Sequence, residues 1–187
     1  MTVPGALPDL QTSTATLADG RMMVTRRVHA SVDQVWAVLA DGWRYATWAT
    51  GAIREVDREW PAVGSRLRHR TGAWPIAVDG HVEVLACQPG RQVVLGTRAW
   101  PTGTARLRIM VNANASHGST VRIAEDGTGG AAGLVPRRFL DRFLVSRHRE
   151  TLRRLAMVAE GQHGLEQRQL IQGTGRAPEP ALGRRIG

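Results

Sequence analysis

The chain has 187 residues, of which 42% are hydrophobic and 22% are charged, values typical of a globular protein and not of a disordered one. Its formal net charge is +9, and all 25 basic residues are arginines. The absence of lysine is more typical of the codon bias of a GC-rich genome than of selection for binding to a polyanion. The one cysteine, Cys87, has no partner for an intramolecular disulfide or a multi-cysteine metal site.

Both ends of the chain lack a periodic apolar pattern. Residues 1–20 have neither a positive leading region nor a continuous apolar stretch, so they do not resemble a signal peptide. No segment reaches the length of a membrane span, and we expect a cytoplasmic protein without membrane insertion. We predict a disordered N-terminal tail over 1–20, one domain over 21–160 and a disordered C-terminal tail over 161–187.

The domain is predicted to begin with a strand and two helices. The strand covers Met22 to His29, and Ser31 is placed to cap the helix that follows. Gln34, three residues after Ser31, completes a capping-box pattern. Asp41 and Gly42 end this helix, and residues 43–48 suit a second, short one.

Six further strands follow, separated by turn residues at regular spacing. Their short links predict antiparallel neighbours and, with the first strand, a seven-stranded sheet. The predicted strands are Ala52–Trp60, Gly64–Thr71, Ile76–Cys87, Gln92–Trp100, Ala105–Val111 and Thr120–Asp126.

A long amphipathic helix is predicted from Leu134 to Glu160. Its apolar residues recur at steps of three and four, which places them on one face. A helix of this length spans about 40 Å, enough to cross a whole antiparallel sheet. The predicted apolar face includes Leu140, Leu144, His148, Thr151, Leu152 and Leu155.

This order of elements and several phrases resemble the START-like, or SRPBCC, superfamily, and within it the stand-alone polyketide cyclase/dehydrase-like proteins. The carriers are VHASVDQVWAVLAD, RYATW, WPAVGSRLRHRTG, EVLACQPGRQVVL and RHRETLRRLAMVAE, in that order between about residues 21 and 160. The resemblance implies an α+β helix-grip fold, in which a curved antiparallel sheet wraps the C-terminal helix around an apolar cavity. It also implies a hydrophobic or aromatic ligand, and it assigns no catalytic residue.

Three polar residues share a face with apolar neighbours. Strand alternation places His69 inward and Arg66, Arg68 and Arg70 in solvent. Glu125 shares the parity of Val121 and Ile123, although a salt bridge with Arg122 or a neighbouring arginine is the simpler reading. His148 continues the stripe of Leu144 one turn later. A hydrogen-bonded core histidine is the commoner role for each imidazole, and a buried one needs a partner.

The six tryptophans supply large flat surfaces that suit aromatic ligands. Trp74 and Trp100 flank prolines at predicted hairpin ends and are candidates for a cavity mouth, and Tyr45 and Trp48 for its rim or lining. Arg98 shares the parity of Val94 and Trp100 and is a candidate anchor for an acidic ligand group, against the alternative of a surface arginine. The candidate ligand-binding residues are thus His69, His148, Tyr45, Trp48, Trp74, Arg98, Trp100, Glu125 and Leu144.

Binding of a hydrophobic small molecule in an internal cavity is the favoured function. The alternative is an enzyme that cyclises or dehydrates a polyketide-like substrate, with His69 or His148 moving a proton. A third hypothesis is an interaction protein with a basic surface. The histidine spacing predicts no metal site, no motif indicates a cofactor, and the arginines lack the interleaved aromatics of a nucleic-acid surface. The sequence leaves the ligand and the oligomeric state open.

Overall fold

In the computed structural model, the chain forms one antiparallel sheet, two short helices and a long C-terminal helix. The structure describes residues 11–19, 21–49, 51–73, 76–99, 103–129 and 137–174. Eight strands pair in the order β1-β2-β8-β7-β6-β5-β4-β3. They are β1 (Thr12–Thr16), β2 (Met22–Val28), β3 (Ala52–Val56), β4 (Arg66–Ala73), β5 (Ile76–Gln88), β6 (Gln92–Ala99), β7 (Gly103–Ala113) and β8 (Ser119–Gly129).

The helices are α1 (Val32–Ala40), α2 (Tyr45–Trp48) and α3 (Arg137–Thr174), with a 3-10 turn over Gly42–Arg44. The predicted capping box is present: the backbone N–H of Gln34 donates to Oγ of Ser31 at 3.2 Å, and the N–H of Ser31 donates to Oε1 of Gln34 at 3.0 Å. The side chain of Asp41 accepts from the backbone of Trp43 at 3.0 Å, which fixes the turn into α2.

The core lies between one face of the sheet, here called the inner face, and helices α1 and α3. Alternate residues of every long strand point into it, as period-2 patterning requires. Leu152, Leu155 and Ala159 of α3 are fully buried, whereas Phe143, earlier in the helix, is 63% exposed. The middle turns of α3 therefore pack against the core, whereas a side chain near its start is exposed to solvent. The fully buried strand residues include Val24, Leu67, Val82, Ile109, Val121 and Ile123.

The sheet has eight strands where the sequence predicts seven, because β1 lies inside the stretch predicted to be a tail. Its residues, TSTAT, carry no apolar alternation, so hydrophobic patterning could not detect them. The strand is held by backbone pairing with β2, from Thr12 opposite Arg26 to Thr16 opposite Met22. The helix α3 likewise runs to Thr174, beyond the predicted end at Glu160.

Candidate functional site

Helix α2 presents two aromatic side chains to the inner face. Tyr45 is 7% exposed and Trp48 is 2% exposed. Their rings meet edge to face, with centroids 4.7 Å apart and planes at 63°. Nε1 of Trp48 is buried without a hydrogen-bond partner among the described residues. An indole N–H is a donor only, so this position lacks an acceptor.

Glu125 places a carboxylate at the end of an apolar row on the inner face. Across the sheet, Leu95 of β6 pairs with Leu107 of β7, and Leu107 pairs with Glu125 of β8. The Glu125 side chain is only 8% exposed. Arg147 of α3 donates from its guanidinium to Oε2 of Glu125, and Nε2 of His148 lies 2.9 Å from the same oxygen.

These two basic neighbours keep the Glu125 carboxyl group ionised. Burial alone raises the pKa of Glu125, but the contact with His148 and the positive charge of Arg147 together outweigh it, so the pKa lies below its ordinary value. A buried carboxylate that accepts a hydrogen bond from a guanidinium and lies beside an imidazole is stable as an anion. The arrangement is thus a buried negative charge with one half-exposed cation, Arg147, at its outer side.

His148 occupies the position that the apolar stripe of α3 predicts, one turn before Leu152. It is 3% exposed. Nε2 of His148 lies 2.9 Å from Oε2 of Glu125, but the two groups are not aligned for a hydrogen bond, and Nε2 has no other hydrogen-bond partner among the described residues. We regard the contact as a close electrostatic one, since the distance is short and the imidazole is poorly aligned. His148 and Trp48 therefore both bury an N–H group that lacks an aligned acceptor.

Tyr45 is coupled electrostatically to the same cluster. Burial raises the pKa of Tyr45 to about 12; the charge of Arg147 opposes this shift and that of Glu125 reinforces it. The phenol is therefore neutral at physiological pH and can donate a hydrogen bond.

His69 of β4 lies next to Tyr45, on a strand at the other end of the sheet from β8. Its ring lies 6.1 Å from that of Tyr45, and its Nδ1 is 2.9 Å from Oγ1 of Thr71. Two glycines make room for it: a Cβ at Gly80 would stand 3.1 Å from Nε2, and one at Gly51 would stand 3.1 Å from Nδ1. Burial lowers the pKa of His69, with His81 adding to the shift and Asp79 opposing it. The imidazole is therefore neutral near pH 7.

A recess of about 80 Å³ opens beside this cluster, between α2 and α3. It is smaller than the roughly 300 to 1,000 Å³ of a small-molecule pocket. The connections 74–75, 100–102 and 130–136, which follow β4, β6 and β8, lie outside the described residues. The recess is lined by Trp48, Ala49, Arg147, Glu150, Thr151 and Arg154.

The structure brings together Tyr45, Trp48, His69, Glu125 and His148 of the residues selected from the sequence. Leu144 lies one helical turn before His148 and is half-buried. Trp74 and Trp100 lie outside the described residues. Whether any of these residues contacts a ligand stays a prediction.

Arg98 is placed elsewhere. It is exposed and lies opposite His81 of β5 on the outer face of the sheet, the face turned away from α3. The side chains of β6 alternate between the two faces, but Val93, Val94 and Leu95 are all buried, at 3%, 6% and 1% exposure. Because burial does not alternate along β6, the apolar pattern did not reveal which face Arg98 occupies. The expected inward anchor is therefore corrected to a surface arginine.

Arg147 is the member of the cluster that sequence reasoning missed. Its position three residues after Leu144 puts it at the border of the apolar stripe, and that spacing is the signal that could have selected it.

Neither a metal centre nor a membrane span is found in the part of the chain that the structure describes. No three of its His, Cys, Asp and Glu side chains are grouped as metal ligands would be. None of its helices is long and apolar enough to cross a membrane.

The architecture, a large antiparallel sheet packed against a long C-terminal helix, is that of the helix-grip proteins. The chain belongs to the family described as polyketide cyclase / dehydrase and lipid transport, whose profile matches residues 20–160. The resemblance predicted from the sequence is thereby confirmed. No curated protein sequence matches the chain.

Solved structures with the same fold have low sequence identity. A protein from Rhodobacter sphaeroides is 17% identical with a TM-score of 0.64, over 80% of this chain and 98% of that one. CalU16 from Micromonospora echinospora is 15% identical with a TM-score of 0.53, over 87% of this chain and 94% of that one. DynU16, from the dynemicin biosynthetic locus, is 18% identical with a TM-score of 0.53, over 81% of this chain and 47% of that one.

Proposed function

We propose that the protein binds a hydrophobic small molecule between the first turns of α3 and the inner face of the sheet. The observation that carries the proposal is the buried pair of Glu125 and His148, with the half-exposed Arg147 beside it, in a region that apolar side chains otherwise fill. Burying a charge is costly unless it is paired, and replacing such a pair by apolar residues is often neutral or stabilising. Binding of a polar group of a ligand accounts for these charged side chains at this position.

Among the described residues, the N–H group of Trp48 has no acceptor and Nε2 of His148 is poorly aligned with Glu125, which supports a ligand that carries hydrogen-bond acceptors. A buried donor without an acceptor costs about 1 to 3 kcal/mol, so an acceptor from a ligand would recover that loss. The aromatic faces of Tyr45 and Trp48 suit a planar, apolar body. Family membership supports a polyketide-like or lipid-like molecule. The ligand class is thus a hydrophobic molecule with carbonyl or phenolic oxygens.

Native mass spectrometry of freshly purified protein tests for a co-purifying molecule. Titration with dihydroxyanthraquinone, a planar polyketide-like probe, then tests the site through tryptophan fluorescence. We expect Glu125→Gln to weaken probe binding by about tenfold, equivalent to about 1.4 kcal/mol. Glu83→Gln is the matched control, because Glu83 lies on the outer face and pairs with Arg66. Equal binding by all three proteins would reject the proposed site.

A second candidate function, cyclisation or dehydration of a poly-carbonyl chain, is favoured by one observation. The lowered pKa of His69 keeps its imidazole unprotonated near neutral pH, as a proton acceptor requires. In this scheme, Nε2 takes a proton from a carbon between two carbonyls. The resulting enolate attacks a further carbonyl carbon, and the new alkoxide takes the proton back. Loss of that hydroxyl with a neighbouring hydrogen then releases water.

Incubation with a synthetic aromatic poly-carbonyl ester tests this scheme by mass spectrometry. The wild-type protein should speed formation of a product lighter by one water, and His69→Gln should remove most of that acceleration, by a factor of about 100. His117→Asn is the control, since His117 is exposed with φ of 60° and asparagine tolerates that conformation. Equal rates with and without protein would leave binding as the function.

A further inference from the structure

On the outer face of the sheet, some arginines form ion pairs with carboxylates and others do not. On β4, Arg66 and Arg70 pair with the carboxylates directly opposite them on β5, Glu83 and Asp79. On β2 and β8, Arg27 and Arg122 instead face Thr120 and Thr25. Neither Arg27 nor Arg122 forms an ion pair with a carboxylate among the described residues. Two adjacent guanidinium groups are therefore left without a counter-charge.

These two arginines lie diagonally across neighbouring strands, a relation in which side chains are about 7 to 8 Å apart at their bases. Their long side chains can therefore converge on one group. Between β1, β2 and β8 the face forms an open cleft of about 310 Å³. The cleft is lined by Gln11, Ser13, Thr25, Arg27, Thr120 and Arg122, with no acidic residue among them.

The lining offers donors for an oxyanion. Each guanidinium presents up to five N–H groups in a planar fork, and the hydroxyls of Ser13, Thr25 and Thr120 can each donate one hydrogen bond. The amide of Gln11 is already engaged, with its Oε1 3.0 Å from Arg26 and its Nε2 3.0 Å from His29. Gln11 precedes β1, which carries Ser13.

We propose that this outer cleft binds a phosphoryl group, held by Arg27 and Arg122 with the threonine hydroxyls beside them. The cleft lies on the face opposite the cluster of Glu125, so this proposal does not depend on the proposed function. A dianionic, tetrahedral group satisfies two guanidinium forks at once, whereas a carboxylate fits one fork.

Inorganic phosphate is the probe, titrated by calorimetry at low ionic strength with chloride as the control anion. We expect phosphate to bind and chloride to give no heat above dilution. Arg27→Gln and Arg122→Gln should each weaken phosphate binding by about tenfold or more. Arg98→Gln, an exposed arginine of the same face outside the cleft, is the matched control and should change the affinity less than about twofold.

Two further measurements test the role of the hydroxyl groups and the source of the phosphoryl group. Thr25→Val keeps the shape and charge of the cleft and should weaken phosphate by several-fold through the lost hydroxyl. Vesicles of phosphatidylcholine with and without phosphatidate separate a lipid headgroup from a free phosphate as the source. An equal loss of phosphate affinity in all three arginine variants would show diffuse attraction to a basic face and overturn the site. Unchanged phosphate affinity in Arg27→Gln and Arg122→Gln, with normal melting temperatures, would overturn it as well.

Discussion

At the scale of single residues, the burial of Glu125 and the burial of His148 each depend on the presence of the other side chain. A leucine at either position would fit the apolar row of the sheet or the stripe of α3, yet one polar residue makes the other tolerable. The carboxylate lies 2.9 Å from the imidazole, and both side chains are less than a tenth exposed. Removing only one partner leaves the other buried without its neighbour, which costs more than removing both.

A double-mutant cycle measures this coupling. We expect His148→Leu to lower the free energy of unfolding by about 1 to 3 kcal/mol, because Glu125 then keeps only Arg147 as a partner. In the Glu125→Gln background the same change should cost at least about 1 kcal/mol less. Urea denaturation at neutral pH gives all four values. Effects that add to within about 0.5 kcal/mol would show that the two residues act independently.

His69 predicts a pH dependence with a defined sign. Its folded-state pKa lies below the unfolded value of about 6.5, so the unfolded chain binds more protons in that window. Stability should therefore fall as pH decreases through about 6.5 toward the folded pKa. Glu125 acts in a separate, lower window: its depressed pKa stabilises the fold above about pH 4.3, and this contribution is lost on acidification below it.

Denaturation midpoints of wild-type protein and His69→Gln, compared between about pH 7.5 and about pH 5.5, test the first window. The variant should lose less stability over this range. His117→Asn, which removes an exposed histidine, should follow the wild type. A wild-type curve that is flat over the range, or parallel to that of His69→Gln, would contradict the assignment.

At the scale of elements, the strands and α1 could be predicted from the sequence because each signal was local and strong. The capping box of Ser31 and Gln34 and the turn residues between strands set most boundaries to within a few residues. Edge strand β1 could not be predicted, since its stability comes from backbone pairing and not from apolar side chains. The spacing of Arg147 on α3 placed it at the border of the apolar stripe, but its partner could not be predicted, because the ion pair with Glu125 depends on a contact between residues 22 positions apart.

Deletion of residues 1–19 tests the contribution of β1. It removes five paired residues from the edge of the sheet and leaves β2 as the new edge. We expect the melting temperature to fall by about 5 °C or more, since 1 kcal/mol shifts a domain of this size by roughly 2 to 4 °C. Deletion of 1–10, which retains β1, is the control, and the difference between the two is the effect of the strand. A difference below about 2 °C would mean that β1 contributes little.

At the scale of the whole molecule, the two faces of the sheet carry opposite chemistry. The inner face holds the buried carboxylate of Glu125 among apolar and aromatic side chains, with Arg147 and His148 of α3 beside it. The outer face carries rows of arginines, of which Arg66, Arg68 and Arg70 have carboxylate partners and Arg27 and Arg122 have none among the described residues. Strand alternation predicted this division for β4, and the register extends it to β5, β6, β7 and β8, whereas Arg26 of β2 shares the inner-face register of Val24.

Salt should therefore separate the two proposed sites. Exposed charges are screened beyond about 10 Å at 0.1 M salt, whereas burial of apolar surface depends little on ionic strength. Raising sodium chloride from about 50 mM to about 500 mM should change the affinity for dihydroxyanthraquinone by less than about threefold and abolish measurable phosphate binding. Fluorescence and calorimetric titrations of the same preparation measure both. Loss of probe binding in step with phosphate would place both ligands on the basic outer face and reject the inner cluster as the site.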